Sequence, residues 1–241
     1  MKKILLMVVG VCLLCSLSGC LYPDQERAEN KVPYKDQMRS VQEAVQAFQK
    51  DQSVLPIKNK DMTVDVYEKY PLDFSKLAPK YMSEPPGNSF EKGGTFQYVL
   101  VNPETKPTVK LIDLIAVNRA QTLQERLKQY MQDHKYPPFK KILATGRYTL
   151  DYKKMGYKEE PYVVSPYTQR NLPFIIDDQL HVFIDYSMDL YSALKKEKKG
   201  VKAGRDIRAL LVKHSFFVPA RSVPYGVQKG EPVFLQQKPR K

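Results

Sequence analysis

Met38-Arg39-Ser40-Val41-Gln42-Glu43-Ala44-Val45-Gln46-Ala47-Phe48 places apolar side chains at Met38, Val41, Ala44, Val45 and Phe48. That spacing is one stripe of an α-helix, with Gln, Glu and Arg on the opposite side. The stripe recurs further along. Sliding the chain by 82 residues (123 − 41) aligns Val41-Gln42-Glu43 with Leu123-Gln124-Glu125, Val45 with Leu127 and Phe48 with Tyr130. The same shift aligns Asp51 with Asp133 and Pro56-Ile57-Lys58 with Pro138-Phe139-Lys140. With the following loop four residues shorter, Tyr70, Leu72, Asp73, Phe74 and Lys76 align with Tyr148, Leu150, Asp151, Tyr152 and Lys154. A shared architecture accounts for identities and apolar classes together; coincidence between two amphipathic helices is the competing account, because Gln, Glu and Leu recur on many helices.

Working outward, each helix leads to a hairpin. Ser40 and Glu43 have capping-box spacing, although the stripe starts slightly earlier, and Pro56 ends the first helix by Leu55. Thr95 to Val101 and Thr108 to Leu114 read as strands joined by Asn102-Pro103-Glu104-Thr105-Lys106-Pro107. The second helix shows Ala116, Ala120, Leu123, Leu127, Tyr130 and Met131 on one face, and Leu172 to Ile176 and Leu180 to Asp185 form the second hairpin around Asp177-Asp178. Met188, Leu190, Tyr191 and Leu194 mark a short helix with a cationic end, and Ile207, Leu210 and Leu211 another. The fold class is therefore α+β: two similar helix-plus-β-hairpin modules with a basic C-terminal helical and extended segment. The expected divisions are 1–19, 20–36, 37–114, 115–186 and 187–241.

The first two divisions follow from the N-terminus. Met1-Lys2-Lys3 precedes an apolar run of 14 residues, Ile4 to Leu17, broken only by Gly10 and Ser16. The run is shorter than the roughly 18 to 20 residues that span a bilayer, so it reads as a signal peptide. Leu17-Ser18-Gly19-Cys20 at its end resembles the lipobox of bacterial lipoproteins. The resemblance implies cleavage before Cys20, a diacylglyceryl group on its sulfur with fatty acylation such as palmitate, and residence on the outer face of the cytoplasmic membrane. It extends as a class to uncharacterised Firmicute lipoproteins, hence to a Gram-positive envelope. An ordinary secreted protein with a chance cysteine is the alternative. Residues 20–36 then form a tether. The segment around Leu77-Ala78-Pro79-Lys80-Tyr81-Met82 and Pro85-Pro86 also resembles, in local shape, the soluble domain of type II secretion pseudopilins, which keep a long apolar helix where this chain has the lipobox.

Cysteine use limits the chemistry. Cys12 and Cys15 lie in the signal, so the mature chain keeps one sulfur, which can form no internal disulfide and, once lipidated, offers no thiolate for metal or catalysis. The charge is uneven. Residues 20–186 hold 24 Lys and Arg against 22 Asp and Glu, whereas residues 187–241 hold 13 against 4. Lys195, Lys196, Lys198, Lys199, Lys202, Arg205 and Arg208 are therefore candidates for contact with an anionic surface, with anionic lipid or teichoic acid as partners and no nucleic acid expected; a merely solvated face explains the same run.

His134, His181 and His214 lack metal-ligand spacing, and each reads as structural. No nucleophile elbow, phosphate loop or dinucleotide fingerprint is present. Asp177-Asp178 reads as a turn and Glu159-Glu160 as a solvated loop rather than as catalytic pairs. Tyrosine is abundant, with 16 Tyr and 10 Phe but no Trp, and Tyr136-Pro137-Pro138-Phe139 and Pro161 to Tyr167 set rings on rigid loops where they can either stack on a ligand or edge a core. The function these features favour is a non-catalytic binding or structural role at the envelope, without cofactor or metal and beside an unknown protein partner. The alternative is the substrate-binding lipoprotein of an ABC-type importer, which needs two lobes with a cleft between them.

Overall fold

The first stripe forms helix α1, Tyr34–Gln52, in a computed structural model that describes residues 34–58, 61, 63–197, 201–202 and 204–235. The signal run, Cys20, Lys198 and Lys199 lie outside the described residues. Helix α1 begins ahead of the expected boundary at 37, because Asp36 sits in its first turn and pairs with Arg39 at 2.9 Å. Ser40 therefore lies inside the helix rather than at its cap. Met38, Val41, Ala44, Val45 and Phe48 are all buried, as the periodicity requires.

The chain then runs through extended residues 55–58 and 71–72 and the one-turn helix α2, Phe74–Leu77, capped by the Asp73 side chain. Strands β1, Phe96–Val101, and β2, Thr108–Asp113, form the first hairpin, with Tyr98 opposite Leu111 and Leu100 opposite Val109. Alternation along a strand sends neighbours to opposite faces. Tyr98, Leu100, Val109 and Leu111 join the core under α1, while Val99, Val101 and Ile112 pack with Val212, Val218 and Ala220 from the C-terminal segment. Both faces of this hairpin are covered.

Asp113 ends β2 and caps helix α3, Leu114–Asp133, accepting from the amides of Ile115 at 2.8 Å and Ala116 at 3.2 Å. Next come β3 (Phe139–Ala144), β4 (Arg147–Leu150), β5 (Val163–Val164), β6 (Asn171–Leu172), β7 (Phe174–Ile176) and β8 (Val182–Ile184). The second hairpin, β7 and β8, is shorter than expected and belongs to an antiparallel sheet ordered β3-β4-β7-β8, while β5 and β6 pair separately. Helices α4 (Ser187–Lys196) and α5 (Ala209–Lys213) and the hairpin β9 (Tyr225–Gln228) and β10 (Glu231–Phe234) complete the chain. The described residues form one compact unit.

The two helix-and-hairpin modules repeat atom for atom in their linking hydrogen bonds. Gln42 on α1 donates to Pro107 O at 3.1 Å and accepts from Val109 N at 2.9 Å. Gln124, its counterpart on α3, donates to Leu180 O at 2.9 Å and accepts from Val182 N at 2.8 Å. Asp73 N donates to Pro56 O at 2.8 Å, and Asp151 N to Pro138 O at 2.7 Å. Ile57 pairs with Leu72 as Phe139 pairs with Leu150. Each helix is thus fastened to the second strand of its own hairpin by one glutamine reading two backbone groups.

The C-terminal segment then bonds to both modules. Leu111 of β2 donates to Phe216 O at 2.8 Å and accepts from Val218 N at 3.0 Å, and Ile184 of β8 donates to Arg221 O at 2.7 Å. Lys110 reaches across to Val212 O at 2.7 Å and Ser215 O at 2.5 Å, a cation at the carbonyl end of α5, and burial lowers its pKa.

Candidate functional site

The basic C-terminal segment does not form a uniform charged face. Lys195 and Lys196 are exposed at the end of α4, with the Lys195 ammonium 4.3 Å from the Tyr191 ring centre. Lys202 and Arg205 are exposed beyond it. Arg208 departs from the expectation: its side chain is 2% exposed, which removes it from any surface contact. It pairs with Asp65 at 2.9 Å and Asp206 at 2.8 Å, donates to Ser222 Oγ at 2.8 Å and lies 4.9 Å from the Tyr67 ring centre. A guanidinium leaves water only when its donors are answered, and here three segments far apart in the chain answer them. Burial, before any charge effect, pushes the Tyr67 hydroxyl up to about 12.

Helices α4 and α5 and the loop 166–168 enclose a cleft of about 620 Å³. Ala193, Leu210 and Leu211 give it an apolar wall, and Lys196, Lys213 and His214 stand along it. Lys196, Lys213 and His214 are all exposed, and Lys213 pairs with Glu197 at 3.1 Å. At the base lies Asp189, 1% exposed, in the first turn of α4. Its carboxylate accepts from Ser165 Oγ at 2.8 Å and Thr168 Oγ1 at 2.5 Å, and Ser165 Oγ accepts from the amides of Tyr167 and Thr168 at 3.0 Å each. Burial raises the Asp189 pKa, opposed by the bonds from Thr168 and Ser165. The cluster locks the loop onto the helix. Tyr167 follows from it, its buried hydroxyl without a hydrogen-bond partner among the described residues and its pKa well above the usual tyrosine value, first through burial.

A second cavity of about 560 Å³ lies between α3 and the turn before β8, lined by Gln124, Met131, Gln179, His181 and Arg221 among others. Arg221 has a left-handed backbone (φ 52°), and its amide donates to Glu68 Oε1 at 2.6 Å.

The histidines and paired acids behave locally. His134 Nδ1 lies 2.9 Å from Tyr130 O and its ring stacks on that of Tyr130; His181 Nδ1 lies 3.1 Å from Asp177 Oδ2. Asp177 Oδ1 accepts from the amides of Gln179 and His181, as expected of a turn. Among the described residues no group of three or more His, Cys, Asp and Glu is arranged to hold a metal. No described helix is long and apolar enough to cross a membrane.

Sequence reasoning missed Asp189, Ser165 and Thr168. The available signal was Ser165-Pro166-Tyr167-Thr168 as a hydroxyl-stabilised turn, but nothing local ties it to a carboxylate 24 residues on.

Comparison with known families matches residues 34–113 to the YphF family N-terminal domain. The match runs from the start of α1 to the end of β2, the first module. No curated protein and no solved structure matches the chain.

Proposed function

We propose that the protein is a membrane-anchored extracytoplasmic lipoprotein with a non-catalytic binding role at the cell envelope, and that the cleft between α4 and α5 is where it binds. The cleft carries the reading. An apolar wall with a few convergent polar and cationic groups is the usual make-up of a ligand site, and Ala193, Leu210 and Leu211 beside Lys196 and His214 supply it. The acid at its base is engaged by two hydroxyls that fix the loop, which suits a preformed wall better than a proton-transferring group. The chemistry favours an anionic or amphiphilic envelope component, with anionic lipid and teichoic acid the leading classes. An importer-type binding protein would close on its substrate between two lobes; the two cavities described lie at α4–α5 and at α3–β8, each outside the junction of the modules.

The test combines anchor and cleft in intact cells. Labelled palmitate should enter the protein and be lost with Cys20→Ser. A photoreactive side chain at Ser192 should give a discrete crosslinked product that disappears when Ala193→Trp fills the wall. No label in the wild type would remove the anchor, and crosslinks indifferent to Ala193→Trp would remove the cleft.

A further inference from the structure

Strand β3 is the outer strand of its sheet, bonded among the described residues to β4 alone. From Phe139 to Leu143 every side chain is exposed. Ile142 is 76% exposed, Leu143 43% and Phe139 40%, and Tyr136 just ahead is 80% exposed. Isolated apolar residues at a surface are ordinary, but four large ones within eight positions on a projecting hairpin call for an occupant.

Two kinds of occupant suit an edge strand: another strand, or a surface. Strand addition needs a continuous run of free amides and carbonyls. Register breaks fall between Phe139 and Lys141 and between Ile142 and Ala144, interrupting such a run twice in six residues. The charges favour a surface. Residues 134–148 contain Lys135, Lys140 and Lys141 but no carboxylate. Of the neighbouring acids, Glu160 pairs with Lys140 at 2.7 Å and Asp178 accepts from the Tyr148 hydroxyl at 2.8 Å. Lys135 and Lys141 form no ion pair among the described residues. Lysines between exposed rings and branched aliphatics are the composition of an interfacial segment, whose stems lie along the acyl boundary while their ammonium groups reach headgroup phosphates. The hairpin tip lies against the Asp177-Asp178 turn, since Gly146 turns at φ +68° and a Cβ there would sit 2.7 Å from Asp178 Oδ2.

Thirteen residues separate Cys20 from Tyr34, so an anchor at Cys20 would keep Tyr34 within about 50 Å of the bilayer, the reach of that many residues fully extended. We infer that the β3–β4 hairpin is a membrane-docking finger that seats Tyr136, Phe139, Ile142 and Leu143 in the headgroup region of an anionic bilayer. Its setting rests on the anchored reading proposed above, and its chemistry stands apart from the anchor.

The chain contains no tryptophan, so a single one reports its own surroundings. Full chain carrying Cys20→Ser, which removes the acyl group, is mixed with phosphatidylglycerol-containing or pure phosphatidylcholine vesicles. In Ile142→Trp the emission should shift to the blue and be quenched by brominated lipid only with the anionic vesicles. In Phe90→Trp, a residue 63% exposed on a different turn, it should not. Without any reporter, Ile142→Ser with Leu143→Ser should lower vesicle pelleting at least about tenfold, and Lys141→Gln about fivefold. Equal emission at both reporters, pelleting indifferent to the serine pair, or a concentration-dependent dimer abolished by that pair would each overturn the inference. These results leave the palmitate-labelling outcome untouched, so failure of the finger and failure of the anchor are distinguishable.

Discussion

Replacing Gln124 with leucine tests the device that repeats in both modules. The change keeps the side chain's bulk and removes an acceptor for Val182 N and a donor for Leu180 O. Gln124 is 8% exposed and its bond to Val182 N is buried, so water cannot take over that amide without opening the packing. An unanswered buried amide or carbonyl costs about 1–3 kcal/mol, and the carbonyl here is only partly buried, so the loss should be about 3 kcal/mol. Gln42 makes the equivalent pair of bonds, but both are partly exposed. Water can replace them in part, and Gln42→Leu should cost about half as much. For a domain of this size each kcal/mol shifts Tm by about 2–4 °C, which gives losses of about 6–12 °C at Gln124 and about 3–6 °C at Gln42. Thermal and urea unfolding followed by circular dichroism measure both, and the urea slope should not change, because the surface exposed on unfolding is the same. Losses below about 0.5 kcal/mol at both positions, or a larger loss at Gln42, would refute the claim that these glutamines fasten helix to hairpin.

Two further predictions concern buried charge. Arg208→Met leaves Asp65, Asp206 and Ser222 without their shared donor; because the two carboxylates are 25% and 33% exposed and can partly rehydrate, the cost should fall near the lower end of the 3–5 kcal/mol range for breaking a buried pair, at about 3 kcal/mol. A urea midpoint unchanged from the wild type would show that the arginine is dispensable. Burial raises the Asp189 pKa above the ordinary 3.8, so between that value and its own higher one the folded chain holds a proton that the unfolded chain releases. Stability from this group is therefore lost as pH rises through that window. The wild-type minus Asp189→Asn difference in unfolding free energy, in which other titrating groups cancel, should fall with rising pH there, and a flat or rising difference would exclude the burial account.

Most of the secondary structure was legible because burial imposes period. The stripe on α1 packs on the first hairpin and the stripe on α3 on the second, and each apolar position follows from facing its own core. Strand β3 was not legible for the converse reason. Phe139-Lys140-Lys141-Ile142-Leu143 buries neither face, so no alternation develops, and the preceding Pro137-Pro138 reads as a loop. What could be seen was its place in the repeat, through Pro138-Phe139-Lys140 aligned with Pro56-Ile57-Lys58. The identity of Gln42 with Gln124 was visible too, though not its reason: a long amide reads a carbonyl and an amide two residues apart.

The same contrast explains the charged segment. A run of cations in sequence gives net charge but not direction, and direction depends on partners the run does not contain. Arg208 turns inward because Asp65, 143 residues earlier, waits there, and Lys213 is taken up by Glu197. Among the described residues Lys195, Lys196, Lys202, Arg205 and Lys229 are left to face solvent without an ion pair. An electrostatic contact made by this segment should then scale with its exposed, unpaired cations, not with the formal charge of residues 187–241. Arg208 contributes instead by joining the loop at Asp65 to the segment that carries α5, which places one wall of the cleft. A cation withdrawn from solvent thus helps to position one wall of the cleft.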